Sequence, residues 1–186
     1  MFASFGKSRF AAEPSVRPTE AGGKLMPRSV ALGCLSCFLL SCGQPAPSAL
    51  MGAEEKARIA EQVDATVRDY VSAIQALDSE RMLGFWADVE GFTIAGDGSL
   101  IVGFEPWAAQ IRALVEATAE VTHIEVRNPQ IFVLGRDAAS YSMEFEWSMT
   151  SREGVTTNAS GSWTYVFKRF PEGWRVVHSA GTHIYS

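Results

Sequence analysis

The 186-residue chain is the size of one ordinary globular domain with an appendage, and its 47% hydrophobic and 20% charged residues exclude global disorder. All three cysteines, Cys34, Cys37 and Cys42, fall in one apolar stretch near the N-terminus, so the remainder holds neither a disulfide nor a thiolate metal site. Before Cys42 stand Lys7, Arg9, Arg17, Lys24 and Arg28 against Glu13 and Glu20, which leaves 11 basic and 19 acidic residues beyond it. Such an acidic remainder offers no basic stripe to phosphates, and nucleic acid is not expected as a partner.

Residues 26–42 have the anatomy of a secretory signal peptide. Arg28 precedes an apolar run from Val30 to Leu40 that is too short to span a bilayer. The other reading of that run, a buried core helix, is disfavoured by the Pro, Ser and Gly that crowd both flanks. Its tail, Leu39-Leu40-Ser41-Cys42, resembles the lipobox of bacterial lipoproteins, which implies lipidation of Cys42. Acyl chains would then hold the protein at a membrane, at about 0.8 kcal/mol per buried CH₂. By the same resemblance, Gly43 after the cysteine implies the outer membrane of a cell envelope. Residues 1–25 fit no part of a signal peptide and read as an upstream extension ahead of a start at Met26. Residues 43–53 open with Gly43-Gln44-Pro45-Ala46-Pro47-Ser48 and read as a flexible tether.

From Glu54 a helical period appears: Ile59, Val63, Val67, Tyr70, Val71, Ile74 and Leu77 recur at three- and four-residue steps. Asp78-Ser79-Glu80 ends this helix and caps a second over Arg81 to Trp86. Phe92 to Ala95 reads as a strand, Gly96-Asp97-Gly98 as a turn, and Pro106 suits the first turn of a third helix. Ile124 to Leu134 is strand-like, with Asn128-Pro129 marking an edge or bulge. Ala139, Tyr141, Met143, Phe145, Trp147 and Met149 then alternate with polar residues, the pattern of a long half-buried antiparallel strand. Trp163, Tyr165 and Phe167 alternate in the next strand, and Trp174 to Ile184 is expected to close the sheet. Helices ahead of an antiparallel meander indicate an α+β fold.

Together these pieces resemble a known family. Asp78 after a long first helix, Phe85-Trp86-Ala87-Asp88, Gly98 and Gly103 before the third helix, Gly161 to Phe167, and Gly173 to Ser179 look like the SnoaL-like (DUF4440-type) branch of the NTF2-like superfamily. The resemblance covers residues 54–186. It implies a cone in which a curved antiparallel sheet wraps three N-terminal helices around an apolar pocket. In enzymes of this group an acid or histidine in the pocket moves a proton beside a carbonyl.

On that basis Asp88 and His178 are the candidate acid/base pair. Asp88 sits where the resemblance places a pocket-side acid, and its other reading is a turn acid bonded to backbone amides. His178 shares strand parity with Trp174 and Val176, so the same face is expected for all three, as a base or as a core histidine. Tyr70, Trp86, Trp107, Tyr141, Trp147 and Trp163 are the candidate ligand-binding residues. His123 is expected at an exposed helix-to-strand junction, His183 near a frayed C-terminus, and Glu144 and Glu146 on a solvated strand face. No metal site and no cofactor are expected, because His178 and His183 point to opposite faces and no carboxylate pattern completes a set.

The leading functional reading is a lipid-anchored envelope protein with a pocket for a small apolar ligand, assembled as a homodimer through aromatic sheet surface. Two others stand beside it. One is an acid/base isomerase, cyclase or dehydratase acting on a polyketide- or steroid-like carbonyl compound; the other is a dimerisation module of an envelope assembly. Fold alone does not choose among them.

Overall fold

The computed structural model describes residues 51–186. The expected extension, the signal peptide with Cys42, and the tether up to residue 50 lie outside the described residues.

Helix α1 runs Ala53–Gln75 and buries Ile59, Val63, Val67, Tyr70 and Ala73, the stripe its periodicity announces. Glu54 and Glu55 sit in its first turn, where the helix dipole favours negative charge. Leu77 takes a left-handed backbone (φ 51°) to leave the helix, and the Asp78 carboxylate caps α2, Ser79–Gly84, by accepting from the Arg81 N–H at 3.1 Å. Strands β1, Thr93–Gly96, and β2, Ser99–Val102, form a hairpin whose two turn residues, Asp97 and Gly98, both have positive φ. That is the turn an Asp-Gly pair favours, and β2 is an element the sequence reading did not anticipate. Helix α3 follows, Phe104–Ala117.

Four long strands complete the chain: β3 Thr118–Gly135, β4 Ala138–Ser151, β5 Thr156–Phe170 and β6 Gly173–Tyr185. The sheet has six strands in the order β2-β1-β6-β5-β4-β3. Strand β6 therefore does not close the sheet. It lies between β5 and β1 and pairs with β1 in parallel, so the sheet is mixed. Strand β3 is the edge expected from Asn128-Pro129: Asn128 is left-handed, and the register slips between Arg127 and Gln130.

The face towards the helices carries Ala139, Tyr141, Met143 and Phe145 of β4, Tyr165 and Phe167 of β5, and Val176 of β6, all buried. A β-bulge decides what the rest of β6 presents. Phe167 lies opposite Val176 and Val166 opposite His178, so Val177 is an extra residue, and parity inverts after it. Beyond the bulge Ser179, Gly181, His183 and Tyr185 lie opposite Tyr165, Trp163, Gly161 and Ala159, on the helix-facing side. His178 goes to the outer side.

Candidate functional site

The candidate residues of the sequence form two groups. Tyr70, Trp86, Trp107 and Tyr141 belong to the core between helices and sheet. Tyr70 stacks on Phe85 with centroids 4.0 Å apart, and Trp86 meets Phe85, Tyr165 and Trp107 edge-on at 5.2–5.8 Å. Tyr141 is 1% exposed and donates its hydroxyl to Asp64 at 3.2 Å. Burial holds the Tyr70, Tyr141 and Tyr165 phenols well above the usual tyrosine range, and the Asp64 charge adds to this at Tyr141. The Trp86 and Trp107 indole N–H groups and the Ser179 hydroxyl are buried with no hydrogen-bond partner among the described residues.

The expected acid/base pair does not form. Asp88 is exposed in the loop between α2 and β1 and makes no hydrogen bond or ion pair among the described residues. His178 does not share the face of Trp174 and Val176, because the extra residue Val177 turns it outward. There its Nδ1 meets the Thr93 hydroxyl at 2.8 Å, and it lines a cleft of about 300 Å³ with Val89, Glu90, Gly91, Lys168 and Val177.

The same bulge brings His183 to the helix-facing side. Its position is fixed from the β1–β2 hairpin tip: one Asp97 oxygen accepts the His183 backbone N–H at 2.7 Å, and the other meets ring Nδ1 at 2.8 Å. A carboxylate only accepts, so Nδ1 carries a hydrogen. The chain end expected to fray is clipped to the sheet.

Trp147 and Trp163, the second group of candidates, are gathered around this histidine. Phe145 and Trp163 have ring centroids 5.0 Å from the imidazole, Tyr185 stacks on it at 5.7 Å, and Trp147 lies 6.1 Å away. Phe145 is buried, the two tryptophans and His183 are partly open, and Tyr185 is exposed. Glycines make the close packing feasible. A Cβ on Gly181 would lie 2.3 Å from the Trp163 ring, and one on Gly96 would lie 2.7 Å from it. Trp163 thus lies flat across β6 and β1, and Phe145 meets His183 over Gly161. The result is an aromatic floor with one imidazole set in it. Partial burial and the Asp97 charge raise the Tyr185 phenol above its ordinary range.

Sequence reading missed Asp97 and misjudged His183. Asp97 has the residue type and φ of a turn former, and its partner lies 86 residues away in sequence. The usable signal was the row of glycines, Gly96, Gly161 and Gly181, in strands otherwise rich in large residues. The remaining candidates are on the outer face or exposed: Glu146 pairs with Arg127, Glu144 accepts from Asn128 at 2.7 Å, and His123 lies within β3 rather than at a junction.

A curved sheet of six strands with its helices supplied from the N-terminal side is the NTF2-like architecture, and the model of the SnoaL-like domain matches residues 63–185. The chain belongs to the SnoaL-like domain family. Solved structures agree on the fold. An NTF2-like superfamily protein from Salmonella enterica is 20% identical with a TM-score of 0.57, over 69% of this chain and 89% of that one. A ketosteroid isomerase-like protein from Erwinia carotovora is 18% identical with a TM-score of 0.56, over 67% and 95%. A hexachlorocyclohexane dehydrochlorinase is 11% identical with a TM-score of 0.61, over 73% and 92%. No curated protein matches the sequence. At these identities the likeness shows the fold alone, so it sets the shape of the site and leaves the chemistry to particular residues.

Proposed function

We propose that this chain is a lipid-anchored protein of the bacterial cell envelope whose SnoaL-like domain binds a small, planar, apolar molecule on the aromatic floor around His183. One observation carries the binding reading: His183, held by Asp97 at Nδ1, is ringed by Phe145, Trp147, Trp163 and Tyr185. Flat aromatic faces take a flat ligand, and a single oriented polar atom fixes its direction by one hydrogen bond. The lipobox-like Leu39-Leu40-Ser41-Cys42 supports the anchor. Titration of the chain with 1-hydroxy-2-naphthaldehyde, followed by tryptophan fluorescence, tests the site; saturable quenching that disappears in Trp163→Ala is expected. Radiolabelled palmitate tests the anchor, with labelling expected in the wild type and absent in Cys42→Ala.

The Asp97–His183 pair also favours a second reading, in which a bound carbonyl compound gives up a proton from the carbon beside its carbonyl to Nε2 while Asp97 stabilises the imidazolium. These two residues take the roles the sequence reading assigned to Asp88 and His178. Enzyme-dependent deuterium exchange at that carbon, lost in His183→Ala, separates enzyme from binder. Exposed Phe132 and Leu134 near the end of edge strand β3 support a homodimer, and light scattering on the intact chain measures it.

A further inference from the structure

On the outer face of the sheet, at the β3 edge, His123, Glu125 and Glu146 bring one ligand atom each within 4.8 Å of one another. Strand register makes the cluster. Glu125 lies directly opposite Glu146, and His123 opposite Ser148, on the face away from Phe145 and Trp147. Two carboxylates opposite each other in an antiparallel pair repel. Glu146 is bonded to Arg127, whereas Glu125 has only the His123 ring within reach among the described residues, Nε2 to Oε2 at 3.9 Å.

Arg127 also faces a second carboxylate. It lies opposite Glu144 in the register, and its Nε is buried with no partner among the described residues. A cleft of about 240 Å³ beside the cluster is lined by His123, Glu146, Ser148, Asn158 and Ser160. It has room for water and polar groups to complete a coordination shell.

We propose that His123, Glu125 and Glu146 bind one divalent cation of the zinc, cobalt or nickel class. One imidazole nitrogen with two carboxylate oxygens suits these borderline ions, whereas magnesium and calcium prefer oxygen alone. Three protein ligands leave a fourth tetrahedral position to water from the cleft. The ion removes the repulsion between Glu125 and Glu146, and Arg127 moves to the facing Glu144. The site lies on the opposite sheet face from the aromatic floor and stands independently of the ligand reading.

Calorimetric titration of the untagged full-length chain, its thiols alkylated, with zinc chloride tests this, together with the visible spectrum of cobalt(II) as it is added. We expect one equivalent bound and an intense tetrahedral cobalt band. Even outer-shell partners of a metal carry roughly 10–100-fold in affinity, so His123→Ala and Glu125→Gln should each weaken binding at least about tenfold. Both side chains are exposed, so melting without metal should not change. Glu153→Gln, in the exposed turn between β4 and β5, should leave zinc affinity near that of the wild type. Absence of zinc binding, or binding that survives both His123→Ala and Glu125→Gln, overturns the proposal.

Discussion

Asp97 and His183, 86 residues apart in sequence, are joined twice: one carboxylate holds both the backbone N–H and the ring Nδ1 of the same histidine. The hairpin tip thereby sets the rotamer and the tautomer of the one imidazole on the helix-facing side of the sheet. In ¹⁵N NMR at neutral pH, the neutral His183 ring is expected as the Nδ1–H tautomer in wild type and as a mixture in Asp97→Leu. A neutral wild-type ring with its hydrogen on Nε2 and none on Nδ1 would contradict the geometry. Loss of the two hydrogen bonds should also lower stability by about 1–3 kcal/mol, read from the urea midpoint.

Gly181 carries the floor. Its missing Cβ is the space in which the Trp163 indole lies, with the Ser162 carbonyl oxygen only 2.5 Å from where that carbon would be. Gly181→Ala should therefore expel Trp163, cost about 1–3 kcal/mol by overpacking, and shift tryptophan emission to longer wavelength. Unchanged emission and stability would mean that Trp163 does not lie across β6.

The bulge predicts an asymmetry between two deletions. Removing Val177 takes out the extra residue and leaves Val176 and His178 opposite their present partners. Removing Ala180 inverts the facing of Gly181, His183 and Tyr185. The first variant should keep a cooperative melt and the Asp97–His183 pair; the second should lose the pair and far more stability. Equal loss in the two variants would contradict the assignment of Val177 as the extra residue.

Alkaline pH should destabilise the domain through its buried phenols. The folded Tyr70, Tyr141 and Tyr165 resist ionisation above the usual tyrosine range, whereas the unfolded chain ionises near pH 10. Raised folded values contribute stability that is intact below the unfolded value and lost as pH climbs beyond it, at about 1.4 kcal/mol per pH unit for each phenol. Absorbance at 295 nm should show these three ionising only with unfolding, and the exposed Tyr185 before them. Four reversible ionisations in the native state would contradict the burial.

How far the sequence reveals this molecule depends on the range of the interaction. The alternation from Ala139 to Met149 reads as β4 because period and burial are local properties. Ile59 to Tyr70 reads as a helix face for the same reason, and Asp78 reads as a cap. The facing of His178 and His183 was misread because one added residue, Val177, inverts a strand, and a valine there differs in nothing from a valine in register. The inner position of β6 depends on parallel pairing with β1, which no local pattern encodes. Trp147 and Trp163 were legible as ligand candidates by residue type; that they surround a histidine depends on register across three strands.

The most direct test of the central claim is a thermal-shift comparison of the intact chain, His183→Ala and Trp163→Ala with 1-hydroxy-2-naphthaldehyde. At a hundred times its dissociation constant a ligand adds about 2.7 kcal/mol, on the order of 8 °C for a domain of this size. The account predicts that rise in the wild type and its loss in both variants, each of which still melts cooperatively without ligand. A rise that persists in both variants would place binding elsewhere, and no rise in the wild type would contradict the aromatic floor as a binding site.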